Sequence, residues 1–158
     1  MPGVLKSVAG KSKINLSSKK ISIVVAEWNE DVTEPLFQGA HDTLLTLGVR
    51  KKNIVRKSVP GSFELPLAAQ WEAEKKEVAA VICLGCVIQG DTPHFDYVCQ
   101  GVTYGIMKVG LKTNKPIAFG VLTTLTKQQS MDRSGGKLGN KGEEAALTVV
   151  KMLELKYP

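Results

Sequence analysis

Two apolar runs, Ile21 to Ala26 and Val78 to Ile88, are too continuous for a strand with one wet face and predict strands buried on both sides. From Asp31 to Leu47 the period changes. Val32, Leu36, Phe37, Ala40, Leu44 and Leu47 recur at helical spacing, and Gly48 stands where a left-handed C′ residue would close the helix. Asn53 to Val59 is more polar and predicts an edge strand, ended by Pro60-Gly61. Leu65 to Lys76 reads as a second helix, with Ser62 or a neighbour as its cap and Pro66 tolerated in the first turn. Phe95 to Leu111 is the third helix, with Tyr97, Val98, Val102, Ile106 and Val109 on its inner face. Pro116 to Leu122 predicts a fourth strand, Thr126 to Arg133 a short helix and Ser134 to Asn140 a glycine-rich loop. Gly142 to Leu155 predicts a last helix that buries Ala145, Ala146, Val149, Val150 and Leu153.

Strands that alternate with helices require right-handed crossovers and give a parallel sheet covered on both faces. The expected architecture is therefore a flavodoxin-like, three-layer α/β fold with a four-stranded parallel sheet in the order 2-1-3-4. A short added edge strand is expected around Ile14 to Leu16. In such sheets ligands bind at the carboxyl ends of the strands where the order reverses, here between the first and third.

The chain has 158 residues, enough for one domain with its own core. Its net charge of +6 is concentrated at one end: Lys6, Lys11, Lys13, Lys19 and Lys20 precede any acid, and the remainder is nearly neutral. Residues 1–20 read as a flexible basic arm and 21–158 as a single domain. The arm has neither the apolar core of a secretory signal nor the arginines of a transit peptide. With no apolar run long enough to cross a bilayer, no membrane partner is expected, and the neutral body argues against nucleic acid. Three cysteines, Cys83, Cys86 and Cys99, are an odd number and suggest reduced thiols in a cytoplasm. Cys83 and Cys86 have C-x-x-C spacing, but i and i+3 on a strand face opposite ways, so no metal site is expected.

The chemistry is concentrated in Gly85 to Cys99, where the third strand passes through Gln89, Gly90, Asp91, Thr92 and Pro93 into a helix that opens at His94. A turn of this kind presents backbone N–H groups and a hydroxyl to an anion such as phosphate. His94 beside it would move protons at neutral pH, or simply pack at the helix start. Trp28, just past the first strand, offers a stacking face for a planar ring or else covers the sheet edge. Ser62, Phe63 and Glu64 follow the Pro-Gly turn, where Glu64 would bind hydroxyls and ring nitrogens or serve only as a helix N-terminal charge. Arg133 and Lys141 flank the glycine loop as cations for a phosphate or as solvated surface.

Four segments in order carry a resemblance: Pro60 to Pro66 (PGSFELP), Gly85 to Val98 (GCVIQGDTPHFDYV), Phe119 to Thr124 (FGVLTT) and Asp132 to Gly142 (DRSGGKLGNKG). They resemble the motifs of the 6,7-dimethyl-8-ribityllumazine synthase family, from about Ile21 to the chain end. The resemblance implies a riboflavin-synthesis enzyme that condenses 5-amino-6-(D-ribitylamino)uracil with 3,4-dihydroxy-2-butanone 4-phosphate, releasing phosphate and water, with no cofactor or metal. It implies His94 for proton transfer. Trp28, Asn29, Ser62, Phe63, Glu64, Cys86, Val87, Ile88, Phe119 and Lys141 would hold the pyrimidine and ribityl chain, and Gly90, Asp91, Thr92 and Arg133 the phosphate. Phe119, Arg133 and Lys141 look like contributions from a neighbouring subunit in a homopentamer, twelve of which would close a sixty-subunit shell. Two residues depart from the pattern. Gln89 stands where many relatives have a cation, and the Asp91 carboxylate would repel a phosphate unless only its N–H is used.

Receiver-type signalling domains share the fold class, but need acidic strand ends where Ile88 and Gln89 stand. A flavin-binding electron carrier would need a hydroxyl-rich loop in place of Glu27-Trp28-Asn29-Glu30. A catalytically silent flavin-binding or shell-forming relative is the remaining alternative.

Overall fold

The structure, a computed structural model, describes residues 12–158. Strands β1 (Lys20–Ala26), β2 (Ile54–Val59), β3 (Val78–Ile88) and β4 (Ile117–Thr124) form a parallel sheet in the order β2-β1-β3-β4. The flavodoxin-like order expected from the alternation is the order found. Helices α1 (Glu30–Thr46) and α5 (Lys141–Lys156) cover one face, and α2 (Leu65–Ala73) and α3 (His94–Thr113) the other. The short α4 (Lys127–Asp132) follows β4.

Side-chain alternation divides the strand residues between two apolar layers. Ile21, Ile23 and Val25 of β1 and Ile82, Leu84 and Cys86 of β3 join Val32, Leu36, Ala40 and Leu44 of α1 and Ala146, Val149, Val150 and Leu153 of α5. Val24, Val81 and Cys83 pack on the opposite side against Leu65, Ala69, Val102 and Ile106. Cys83 and Cys86 therefore diverge, as their spacing predicted. β2 is the half-exposed edge, and Gly48 closes α1 at φ 104°.

Two glycines bring α1 and α5 together. A Cβ on Gly142 would lie 1.9 Å from the Leu36 carbonyl oxygen, and one on Gly39 would lie 2.6 Å from the Asn140 side chain. Asn140 uses that space to cap α5, accepting from the Gly142 N–H at 2.8 Å while its Nδ2 donates to the Pro35 carbonyl at 2.9 Å. One side chain thus caps α5 and ties it to a carbonyl of α1.

Four expectations are corrected. Ile14 to Leu16 do not add an edge strand: Asn15 Oδ1 accepts from the Ser17 N–H, turning the backbone, and Leu16 is buried in the core. Ser62 opens a 3₁₀ turn, Ser62–Glu64, ahead of α2, and the neighbour at the N-cap position, Glu64, makes no side-chain capping bond. Tyr97 does not face the core; it is 71% exposed, because the first turn of α3 stands beyond the end of the sheet. Ser134 to Asn140 is no irregular loop but a small antiparallel pair, β5 (Ser134–Gly136) and β6 (Gly139–Asn140), with Gly135 and Gly139 at positive φ.

Candidate active site

The β1–α1 junction is built by the sheet beneath it. The Glu27 N–H donates to the Val59 carbonyl and the Trp28 N–H to the Pro60 carbonyl, so the chain stays in step with β2 past the end of β1. Asn29 then takes a left-handed conformation, φ 62°, and its Nδ2 donates to the Cys86 carbonyl at 3.1 Å. Trp28 is thereby held over Gly61, whose missing Cβ would stand 2.8 Å from the indole. Gly85 leaves room for Ser62 in the same way, since a Cβ there would lie 2.5 Å from the Ser62 hydroxyl. Phe63 lies against Gly101 of α3.

These contacts enclose a cavity of about 460 Å³ at the carboxyl ends of β1 and β3, lined by Trp28, Asn29, Ser62, Phe63, Glu64, Cys86, Val87, Ile88, His94, Tyr97 and Val98. It lies at the reversal of strand order, and its volume is in the range of small-molecule pockets. Trp28, Phe63 and Tyr97 supply aromatic faces. Ser62, Asn29 and Glu64 supply polar groups, and His94 is the first residue of α3. Tyr97 and Val98 were not among the predicted site residues. Their distance from His94, three and four positions along one helix, puts all three on one face and was the signal available.

Gly90, Asp91 and Thr92 form the exposed turn between Ile88 and His94 and do not line this cavity. Three further predicted residues lie outside it. Phe119 pairs with Cys83, three residues upstream of the cavity wall at Cys86, on the edge strand β4. Arg133 follows α4, and its carbonyl accepts from the Lys141 N–H at 2.8 Å. The Lys141 ammonium pairs with Glu144. Among the described residues no lysine or arginine lines the cavity, and Glu64 is its one carboxylate.

Beneath the wall, the buried Cys86 S–H donates to Ser130 Oγ at 3.2 Å, and Ser130 Oγ is 2.5 Å from Thr124 Oγ1. Burial pushes the Cys86 thiol above the ordinary cysteine range, against the opposing bond with Ser130. Cys83, wholly enclosed by apolar side chains, is pushed up to about 12. Both thiols are therefore weak nucleophiles at neutral pH. A larger recess of about 670 Å³ runs between α1 and the β5–β6 hairpin. It has no histidine and no aromatic face, and it lies along the flank of α1 rather than at the strand ends.

Fold and cavity together define a doubly wound α/β protein with a cavity of small-molecule size at the topological switch point. The model of the 6,7-dimethyl-8-ribityllumazine synthase family matches residues 18–157. The chain is 63% identical over 139 residues to the 6,7-dimethyl-8-ribityllumazine synthase of Cytophaga hutchinsonii, covering 88% of this chain and 87% of that one. It is 59% identical over 137 residues to the enzyme of that name from Parabacteroides distasonis, covering 87% and 86%. With that from Protochlamydia amoebophila identity is 46% over 145 residues, covering 92% and 84%. The chain belongs to the 6,7-dimethyl-8-ribityllumazine synthase family.

Proposed function

We infer that the chain condenses 5-amino-6-(D-ribitylamino)uracil with 3,4-dihydroxy-2-butanone 4-phosphate to 6,7-dimethyl-8-ribityllumazine, releasing inorganic phosphate and water, in riboflavin synthesis. The observation that carries this reading is His94 at the start of α3, on the wall of a cavity that also holds Trp28, Ser62 and Glu64. Imine formation, phosphate elimination and ring closure each move protons, and an imidazole suits that work near neutral pH. Trp28 stacks on the pyrimidine. Ser62, Phe63, Glu64, Asn29, Cys86, Val87 and Ile88 hold the ring and ribityl chain, so that the two reactants meet in fixed orientation.

The phosphate is held at the turn of Gly90, Asp91 and Thr92. Asp91 contributes its N–H there, its carboxylate being turned to solvent. A phosphate ester calls for a cation, and among the described residues none lines the cavity. Arg133 of a neighbouring copy supplies it, with Phe119 and Lys141 completing the wall. Such a head-to-tail arrangement closes as a ring. The smallest active unit is accordingly a homopentamer, and twelve pentamers close a hollow shell. A cytoplasmic location fits the three free thiols, and among the described residues no helix is long and apolar enough to cross a membrane. The test is to mix the two substrates with the protein and follow the lumazine fluorescence. No product with the intact, assembled protein would reject the reading and favour a silent relative.

A further inference from the structure

Ser130 is completely buried, yet it is polar and lies in a helix of only six residues. A helix this short does not hold itself in place, so its position depends on its anchors. The Thr126 hydroxyl caps it, accepting from the Gln129 N–H at 3.2 Å, and Lys127 forms an exposed ion pair with Asp31. Exposed pairs of this kind contribute little. The buried anchor is Ser130. Its hydroxyl accepts from the Cys86 thiol in the cavity wall and meets Thr124 at the end of β4. Its carbonyl accepts from the Arg133 N–H at 3.1 Å, and the Arg133 carbonyl accepts from the Lys141 N–H. One line of contacts thus runs from the cavity wall, through Ser130, to the backbone of Arg133 and Lys141, two residues that do not line the cavity.

We propose that Ser130 is a positioning residue that fixes the Cys86 thiol within the cavity wall and, through one turn of α4, sets the place of Arg133. An alanine would fill the apolar part of this site equally well, but it would leave the Cys86 and Thr124 groups buried without a partner. The hydroxyl serves geometry at both ends of the line. The Arg133 end rests on the function inferred above, and the Cys86 end stands without it.

The experiment uses the full-length assembled chain and the variants Ser130→Ala and Ser130→Cys, the second keeping a weak donor and acceptor. In steady-state kinetics, Ser130→Ala should raise KM for the phosphate-bearing ketone, and the inhibition constant of inorganic phosphate, by about fivefold, the factor carried by one net hydrogen bond. The KM for the pyrimidine should rise less, and Ser130→Cys should shift both in the same direction by smaller factors. The second readout needs no activity. In a Cys99→Ser background with Cys83 fully buried, iodoacetamide should modify Cys86 about fivefold more slowly once the hydrogen bond that favours its thiolate is lost. If the parent makes no lumazine, the functional reading fails and the thiol rate alone decides the positioning role. An unchanged thiol rate in folded Ser130→Ala, or in Ser130→Cys with its added thiol scored separately by peptide mass if the alanine variant does not fold, overturns the proposal. A slower thiol rate with unaltered phosphate affinity in an active enzyme overturns the Arg133 half.

Discussion

Asn29 Nδ2 and the Cys86 carbonyl oxygen, 3.1 Å apart, tie the left-handed turn after β1 to the end of β3. The two strands on either side of the switch point are thus joined above the sheet by a side chain that lines the cavity. Asn29→Ala loses that bond and also puts an alanine at φ 62°, so it should destabilise by about 2 kcal/mol. Asn29→Gly loses only the bond and should recover about 1 kcal/mol of that loss. Denaturant midpoints of the three proteins give the comparison, and equal midpoints for the alanine and glycine variants would contradict the backbone half of the argument.

Replacing His94 tests the chemistry directly. His94→Ala should lower kcat by about 10² to 10⁴, the range for a positioned proton-transfer group. Because His94 is exposed at a helix start, the thermal midpoint should hardly move. Catalysis at the parent rate would remove it from the mechanism.

Trp28 is 69% exposed, with its indole over Gly61, and offers more area than a phenyl ring to a flat ligand. Riboflavin should therefore bind measurably and quench tryptophan fluorescence. Trp71 on α2 adds a background signal, so the informative titration compares Trp28→Ala with the parent. Gly61→Ala should weaken binding too, since its methyl would displace the indole from 2.8 Å away. Equal flavin affinity in all three would rule out stacking at this position.

How much of this was legible beforehand depends on the range of the interaction. Sheet order, edge strand and the faces of α1 and α5 follow from periodicity, because each repeats a local rule over many residues. The divergence of Cys83 and Cys86 was legible for the same reason. Apolar spacing points Tyr97 inward because it says nothing of where the sheet ends. The β5–β6 pair was hidden because its glycines carry no alternation. The line from Cys86 through Ser130 was out of reach altogether, since serine in a short helix is ordinarily a surface residue and its partners lie 44 and 6 positions away. The role of Arg133 is the hardest to read. It lies away from the cavity of its own chain, so a single copy offers no geometry to judge it by.

A buried carboxylate gives a pH prediction far from the site. Burial pushes Glu72 upward, but hydrogen bonds from Lys75 and from Ser22 of β1 outweigh it, leaving the carboxyl below its ordinary value of 4.5. A lowered folded value means that the stabilisation is complete above the unfolded value and disappears as pH falls through the folded one. Glu72→Gln removes this contribution. The parent should be the more stable protein at neutral pH, and the gap should close as pH falls below 4.5. A gap that stays constant down to acid unfolding would mean that the Glu72 charge is not what stabilises this contact.

Arg133 and His94 can be tested against each other, because the shared-site reading assigns them to opposite sides of one subunit boundary. On that reading each chain would lend its His94 cavity to one neighbour and its Arg133 to the other, as a head-to-tail ring requires. His94→Ala and Arg133→Ala should each assemble and be nearly inactive. If the two are unfolded and refolded together in equal amounts, a working site needs an intact His94 from one kind of chain beside an intact Arg133 from the other. Each condition holds half the time, so random mixing should restore roughly a quarter of the sites. Mixing the already folded assemblies should restore none if subunits do not exchange, which separates hybrid formation from contamination. Refolded hybrids of parental size that recover nothing above the two parents would show that Arg133 acts within its own chain or not at all.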